Sequence, residues 1–518
     1  MKVVQFVHGY PPEFIGGTES YLRAFSQRLV RRGHSCLVVA GSNRPWPEPS
    51  LALSEDAGVD VARLIGMSRR QGFRPATYDP AVEGLTRKLL GWWRPELVHV
   101  HHWSRLTNNL VAICRALEIP TVVTLHDQWI ACSRYHRIRP DEGFCADRAA
   151  PCASCVDRDP WQSIEEIERE LALRERAIQQ EFRLAERLLV PSCAQQAFVQ
   201  TIAGLPPDRL EVVPLGSPRE PMAEMHHDRP RSMGGPLKVG HWGYLLPEKG
   251  VHLLLEAARR LSNEASVEWH IYGKAPDPAY EIRLMKLADG LPVIFHGDYT
   301  FRGLCSDNLD LAIFPSLCCE TYSFVLDEAF LLGVPVLAAN RGAFRERVGG
   351  AGLLFQCGDV GDLVEKLESV LRTPEALHRL KQEATMEKVV SMDDHASRIE
   401  KVYQEVVDTY VPGPEPEQDH RELLLHQHHQ VIDREREIER LHGAIEGLQA
   451  VMADLRVEND AEASRLLQTI ETLQEEREWW RKQTQQLGGE LDRLERSSVH
   501  KLYRLLSRGT PPQDSDSP

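Results

Sequence analysis

The chain has no run of about eighteen uninterrupted apolar residues, the length a helix needs to cross a bilayer, so no spanning helix is expected. Its first residues, MKVVQFVHGYPPEFIGG, lack a basic leader, a long apolar stretch and a small-residue cleavage site. They have the pattern of a first β-strand, and a cytoplasmic location is expected. Basic charge is in short supply: 61 Lys and Arg stand against 76 Asp and Glu, a net charge of −15. That balance argues against broad nucleic-acid binding, which relies on basic surfaces. The 11 cysteines are an odd number. In a reducing compartment most are expected to be free thiols packed as small apolar residues.

Apolar residues make up 42% of 518, enough for several cores. From residue 1 to about 216, short apolar runs such as KVVQFV, SCLVVAG, ELVHVHH, TVVTLHD and RLLVPS alternate with helical spacings such as ESYLRAFSQRLVRRGH. That alternation implies a doubly wound parallel sheet. Residues 217–236, rich in Pro, Gly and charge, read as a linker. A second α/β pattern occupies 237–390 (LKVGHWG, VEWHIYG, VIFHG, LDLAIFPS, VPVLAAN, AGLLF), and helix closes it at 391–410. Two such units make a cleft.

After the Pro-rich stretch VPGPEPEQD, residues 420–498 change character. Leu441, Ile445, Leu448, Met452 and Leu455, and then Leu466, Ile470, Leu473, Arg477, Trp480, Thr484, Leu487, Leu491 and Leu494, alternate steps of four and three. This is coiled-coil spacing. The two frames join through a four-residue stutter, and Asn459 takes a core-type position. A coiled-coil homo-oligomer is expected, with some 75 residues of helix reaching roughly 110 Å. A solvated single helix and a helix folded back on the body are the alternatives. Residues 499–518 form a short basic amphipathic segment and a polar tail. They are either the frayed end of the coil or a contact for an anionic membrane or a partner.

The stretch CETYSFVLDEAFLLGVPV, 319–336, places Glu320 in a loop between a strand and a helix and Glu328 two turns into that helix. Buried charge is costly without a partner. In open α/β sheets ligands bind outside the carboxyl ends of strands, and the first N–H groups of a helix attract anions. Two carboxylates beside an anion site suit a ligand that offers both hydroxyls and phosphate.

From 1 to about 410 the chain resembles the family 4 glycosyltransferases. The resemblance lies in five ordered motifs: GGTESYLRAFSQRLVRRGH, PELVHVHH, TVVTLHD, GHWGYLLPEKGVHLLLEAARRL and ETYSFVLDEAFLLGVPVLAANRGAFRE. It implies the GT-B fold, an N-terminal Rossmann-like acceptor domain and a C-terminal Rossmann-like donor domain facing across a cleft. It also implies retaining transfer of a sugar from a UDP- or GDP-linked donor to a glycan or lipid-linked acceptor, no metal or other cofactor at the reaction centre, and a role in cell-surface polysaccharide synthesis at the inner membrane face. Glu328 would then hold the ribose hydroxyls, and Glu320 would face the donor sugar near the anomeric carbon. Lys249 would meet the charge developing on the diphosphate. The backbone N–H groups of Ser323, Phe324 and Val325, with the loop Gly16–Gly17, would approach the phosphates. His126 would contact the donor sugar, with His99, His101 and His102 packing nearby or lining the acceptor cleft. The family usually has Arg where Tyr244 stands, and often Gly where Ser323 stands. Tyr244 brings one hydrogen bond and no charge, which leaves open a second reading: a weakened transferase scaffold that recruits partners through its coil.

Cys132, Cys145, Cys152 and Cys155 give the spacing C-x12-C-x6-C-x2-C inside an insertion at 132–155. Four thiolates with one C-x-x-C suit a structural zinc ion. Free thiols, an iron–sulfur centre or disulfides are the alternatives.

Overall fold

The computed structural model describes residues 1–44, 49–66, 78–146, 152–158, 163–221, 235–262, 267–413, 435, 438–449 and 460–496. The N-terminal sheet contains β1 (Lys2–Val7), β2 (Ser35–Gly41), β3 (Ser50–Asp56), β4 (Val59–Ile65), β5 (Leu97–Val100), β6 (Thr121–Thr124), β7 (Arg187–Val190) and β8 (Leu210–Val212). Their order is β3-β4-β2-β1-β5-β6-β7-β8. All neighbours are parallel except β3 and β4, which form an antiparallel hairpin. The second sheet contains β9 (Leu237–Trp242), β10 (Val267–Tyr272), β11 (Val293–Gly297), β12 (Leu311–Phe314), β13 (Val336–Ala339) and β14 (Gly352–Phe355). It is ordered β11-β10-β9-β12-β13-β14 and is parallel throughout. This is the GT-B arrangement of two α/β units.

Both sheets are covered by helices on their two faces, so their central strands are buried without alternation; β1 and β5, for example, are buried almost end to end, while the edge strands β3 and β11 are only partly buried. In each sheet the strand order reverses beside the first strand. β1 lies between β2 and β5, and β9 lies between β10 and β12. Reversal opens a crevice outside the carboxyl ends of those strands. The two crevices hold the site.

The helix Met392–Thr409 returns to the first domain. Met392, Ala396, Ile399, Val402, Tyr403 and Val406 are buried in one cluster with Leu22, Phe25 and Leu29 of the helix Gly17–Arg31. Tyr403 Oη lies 2.6 Å from His99 Nδ1, and Tyr21 Oη 2.8 Å from His395 Nε2. The chain therefore crosses between domains twice, and 391–410 belongs with the N-terminal core, not with the unit before it.

At the C-terminal end, the helical residues 438–449 and the helix Asp460–Arg496 pack on each other. Leu441, Trp479 and Trp480 share one apolar cluster with Ile438 and Leu473, and Arg477 lies 3.3 Å from His442. In one straight helix these two residues, 35 apart in sequence, would be separated by about 52 Å. The chain therefore doubles back between them, and the single long rod expected from the heptads is replaced by a helical hairpin. Over these residues the seam assigned to a second chain is covered by the chain itself. Met452, Leu455, Asn459 and the stutter lie outside the described residues, as does the 499–518 segment. Among the described residues no helix is long and apolar enough to cross a membrane.

Candidate active site

Lys249 follows β9 and Glu320 follows β12, the two strands flanking the reversal in the second sheet. Glycines let their loops close on each other. Gly250 has φ +71°, and a Cβ there would fall 2.0 Å from the Pro315 carbonyl oxygen. Gly342 has φ +60°, and a Cβ would fall 2.4 Å from the Glu320 carbonyl oxygen. Lys249 Nζ donates to Glu320 Oε1 at 2.7 Å, and Ser316 Oγ donates to the same oxygen at 2.7 Å. Burial pushes the Glu320 carboxyl up, but the Lys249 ammonium and these hydrogen bonds outweigh it and hold it below the usual carboxylate range. Burial likewise opposes the charge on Lys249, and Glu320 reverses that, holding its pKa above the ordinary value. Both groups stay ionised at neutral pH.

Glu328 sits on the helix Phe324–Leu331 and is 4% exposed. Arg219 Nε donates to its Oε1 at 2.8 Å, and Tyr299 Oη reaches Oε2 at 3.3 Å. Burial raises the Glu328 pKa, and Arg219 offsets part of that. Beside it, Asp327 is fully buried and paired with Arg347, which also donates to the Tyr322 carbonyl at 2.7 Å. Ser323 precedes the helix with φ +76° and makes no side-chain cap. The first N–H groups of this helix have no intrahelical partner, and these are the amides of Phe324 and Val325. A left-handed non-glycine residue costs about 1–2 kcal/mol, while glycine adds chain entropy when unfolded, worth about 0.4–1 kcal/mol. Ser323→Gly is therefore expected to raise stability by up to about 1 kcal/mol, read as a small upward shift in thermal unfolding. An unchanged or lower midpoint would show that Ser323 is not strained.

The first domain closes over this site. A Cβ on Gly17 would fall 3.1 Å from the Phe324 ring, and one on Gly16 2.5 Å from a Glu19 oxygen. Glu19 pairs with His8 at 2.9 Å. Tyr244, standing where the resemblance predicts Arg, donates its hydroxyl to the Ile15 carbonyl at 2.7 Å. It is thus a tie between the donor-side domain and the glycine loop. Thr321 Oγ1 donates to the His126 carbonyl at 2.5 Å, setting His126 next to the Glu320 loop. The Glu346 carboxylate accepts from the N–H groups of Cys193 and Ala194 at 3.0 Å each, at the start of the helix Cys193–Ala203.

His126 Nε2 lies 2.8 Å from His101 Nδ1, and its Nδ1 is buried without a partner among the described residues. Burial pushes His126 down to about 3 and His102 down to about 4, so both are neutral. His102 Nε2 is 3.3 Å from Asp127, and His99 bonds to Tyr403 and Thr124. Both ring nitrogens of His99 are thereby engaged in packing the core.

Lys249, Glu320, Glu328, Ser323, Phe324, Val325, Tyr244, Gly16, Gly17 and His126 all come to this one interface. Sequence reasoning missed Arg219, Tyr299 and His136. Arg219 lies in the segment read as linker, where nothing but its charge marks it. His136, inside the cysteine-bearing insertion, lies 3.8 Å from Glu248. Its pKa is lowered by burial and then by the nearby Lys249. Cys132, Cys145, Cys152 and Cys155 line a separate small cavity.

The comparisons agree with this architecture. A model of "Glycosyltransferase Family 4" matches residues 15–218, and one of "Glycosyl transferases group 1" matches 236–373. The chain is 25% identical over 401 residues to a glycogen synthase of Mycobacterium tuberculosis, covering 73% of this chain and 88% of the relative. It is 23% identical over 362 residues to a phosphatidyl-myo-inositol mannosyltransferase of Mycobacterium leprae, covering 69% and 84%. Among solved structures, it resembles a sucrose-phosphate synthase from Thermosynechococcus elongatus with a TM-score of 0.58 and 16% identity, over 79% of this chain and all of that one. It also resembles Anabaena HepE in complex with UDP, with a TM-score of 0.54 and 18% identity, over 78% of this chain and all of that one. With both of its lobes matched by these models and the expected residues gathered at one crevice, the chain belongs to the family 4 glycosyltransferases.

Proposed function

We propose that this glycosyltransferase takes a hexosyl group from a UDP- or GDP-sugar and passes it, with retention of configuration, to a glycan or lipid-linked acceptor in cell-surface polysaccharide synthesis. The observation that carries this reading is the convergence of Lys249, Glu320 and Glu328 on one side of a cleft whose other side is the Gly16–Gly17 loop. The Glu328 carboxylate grips the ribose diol. Lys249 and the amides of Ser323, Phe324 and Val325 hold the diphosphate. Glu320, held ionised by Lys249, orients the sugar hydroxyls and stabilises positive charge at the anomeric carbon. The bond from that carbon to the diphosphate oxygen breaks, and its electron pair stays on the phosphate beside Lys249. The acceptor oxygen then bonds to the same face, and its proton passes to the departing phosphate. Neutral His126 contributes hydrogen bonds to the sugar and does not act as a cation. Arg219 occupies Glu328 until the ribose arrives, and it supplies a guanidinium to a cleft in which Tyr244 brings no charge. That supports an enzyme over a weakened scaffold.

Printed names of relatives support the substrate class. HepE structures hold UDP or UDP-glucose, and the mycobacterial mannosyltransferase is named for a phosphatidyl-inositol acceptor. A lipid-linked acceptor places the protein peripherally at the inner membrane face. A homo-oligomer through the C-terminal helices is not part of the proposal, because Leu441, Trp479 and Trp480 already face one another within one chain. The test is a thermal-shift screen of UDP- and GDP-sugars. A ligand at about 100 times its dissociation constant adds about 2.7 kcal/mol of stability. A clear rise with one nucleotide class is expected. No rise with any UDP- or GDP-sugar, together with no donor hydrolysis or transfer, would sink the proposal.

A further inference from the structure

We propose that Cys132, Cys145, Cys152 and Cys155 bind one structural zinc ion, which staples the insertion that ties the two domains together beside Lys249. The four cysteines come from three separate pieces of chain. Cys132 ends the turn after β6. Cys145 follows the isolated bridge between Ile138 and Phe144. Cys152 and Cys155 flank a tight turn, with Cys155 N–H donating to the Cys152 carbonyl at 3.0 Å. All four line one cavity of about 60 Å³. None is in a disulfide.

Two further features of the cavity point to an anionic metal–thiolate centre. First, its lining carries four arginines, Arg134, Arg137, Arg139 and Arg174, and a single carboxylate, Glu175. Arg139 is paired with Asp141, and Arg174 donates to the Trp129 carbonyl and lies over its ring, yet together these guanidinium groups favour thiolate over thiol. Four thiolates around Zn²⁺ carry two net negative charges, which these arginines would offset. Second, the insertion has almost no core of its own: among its described residues only Ile138 and Ala153 are buried apolar side chains. Small loops of this kind need a staple.

Among the described residues no three His, Cys, Asp or Glu side chains already stand as a ligand set, so binding would draw the four sulfurs together. The ion does the gathering. Zn–S bonds of about 2.3 Å draw tetrahedral sulfurs to about 3.8 Å from one another, and binding releases the four thiol protons. What the staple secures is visible across the cleft. From the same insertion, Glu142 pairs with Arg283, Phe144 faces the Arg341 guanidinium at 4.3 Å, and His136 reaches toward Glu248, the neighbour of Lys249.

The full chain, purified without chelator, is assayed for metal by elemental analysis, and its cobalt-substituted form by absorption. The wild type is expected to hold about one zinc per chain. Cobalt exchanged into it should give the thiolate charge-transfer bands and tetrahedral ligand-field bands of a four-sulfur site. The double variant Cys152→Ser/Cys155→Ser should lose the zinc, while Cys193→Ser/Cys305→Ser should keep it. If the first variant does not fold, titrating wild-type thiols with a mercurial while following zinc release by dye keeps the test decisive, and release should accompany modification of the four. A wild type without zinc, zinc retained by the folded double variant, an iron–sulfur spectrum, or disulfides in the unreduced chain would each overturn the proposal.

Discussion

Replacing Lys249 with alanine is expected to lower glycosyl transfer by about 10²–10³-fold, the range for losing one placed donor to a developing anion. The loss should appear in kcat more than in KM, because the charge on the diphosphate grows as the bond breaks. The pair with Glu320 adds a second consequence. Without the ammonium at 2.7 Å, burial of Glu320 is opposed chiefly by the Ser316 hydrogen bond and its pKa climbs, which moves the acidic limb of the rate profile upward. Glu320→Gln in the same background should therefore cost much less than in the wild type, since residues acting as a unit are non-additive. Steady-state rates against pH for the two single variants and the double variant decide this. A Lys249→Ala enzyme with near wild-type kcat would remove Lys249 from the reaction centre.

Arg347→Met is expected to destabilise the second domain by about 3–5 kcal/mol, because it strands the fully buried Asp327 carboxylate. Arg347 donates to Asp327 and to the Tyr322 carbonyl, and its guanidinium lies 3.7 Å from the Tyr322 ring centre. That lock shapes the turn at Ser323 and the helix that carries Glu328, so donor binding should weaken too. Replacing both partners, Asp327→Leu with Arg347→Met, should recover most of the stability, since it is the orphaned charge that costs. About 1 kcal/mol moves the melting midpoint of a domain of this size by about 2–4 °C, so thermal unfolding resolves the series. A pH dependence accompanies it. Burial pushes Asp327 up from 3.8 to about 6, with Arg347 only partly offsetting it. The folded chain thus holds a proton over a range where the unfolded chain has released it. The stability this contributes is present below the unfolded value and is lost as pH rises through about 6. Asp327→Asn should flatten stability across that window. An unchanged slope would assign it to other groups.

Much of this molecule is legible in its amino-acid order. The central strands β12 and β13 of the second sheet are continuous apolar runs bounded by turn residues, because a parallel sheet covered on both faces has no polar side to show. The hairpin β3–β4 escapes notice since SLALSED, four of whose seven residues are polar, lies at an edge and is only partly buried. Glu320 and Glu328 are readable from the strand–loop–helix frame around them. Arg219 is not, as a basic residue in a Pro-rich crossing looks the same whether it meets solvent or a carboxylate. Tyr244 is readable as a lost charge, but not as the donor that ties the second domain to Ile15.

The heptad spacing of the C-terminal segment correctly marks helices with one apolar seam, yet it does not say what covers the seam. Leu441 and Trp480 meet in a turn-back of the same chain, where periodicity alone equally allows a second copy. The same holds for Met392–Thr409, whose apolar face packs on the first domain after the chain has built the second. Sequence by itself determined the parallel strands of the two sheets, the cleft between them and the places of Lys249, Glu320 and Glu328 along it, because periodicity and turn chemistry are local. Only the tertiary structure decided which apolar faces pair and which charge answers which, because burial energy is non-directional and proximity in space is settled by the whole fold.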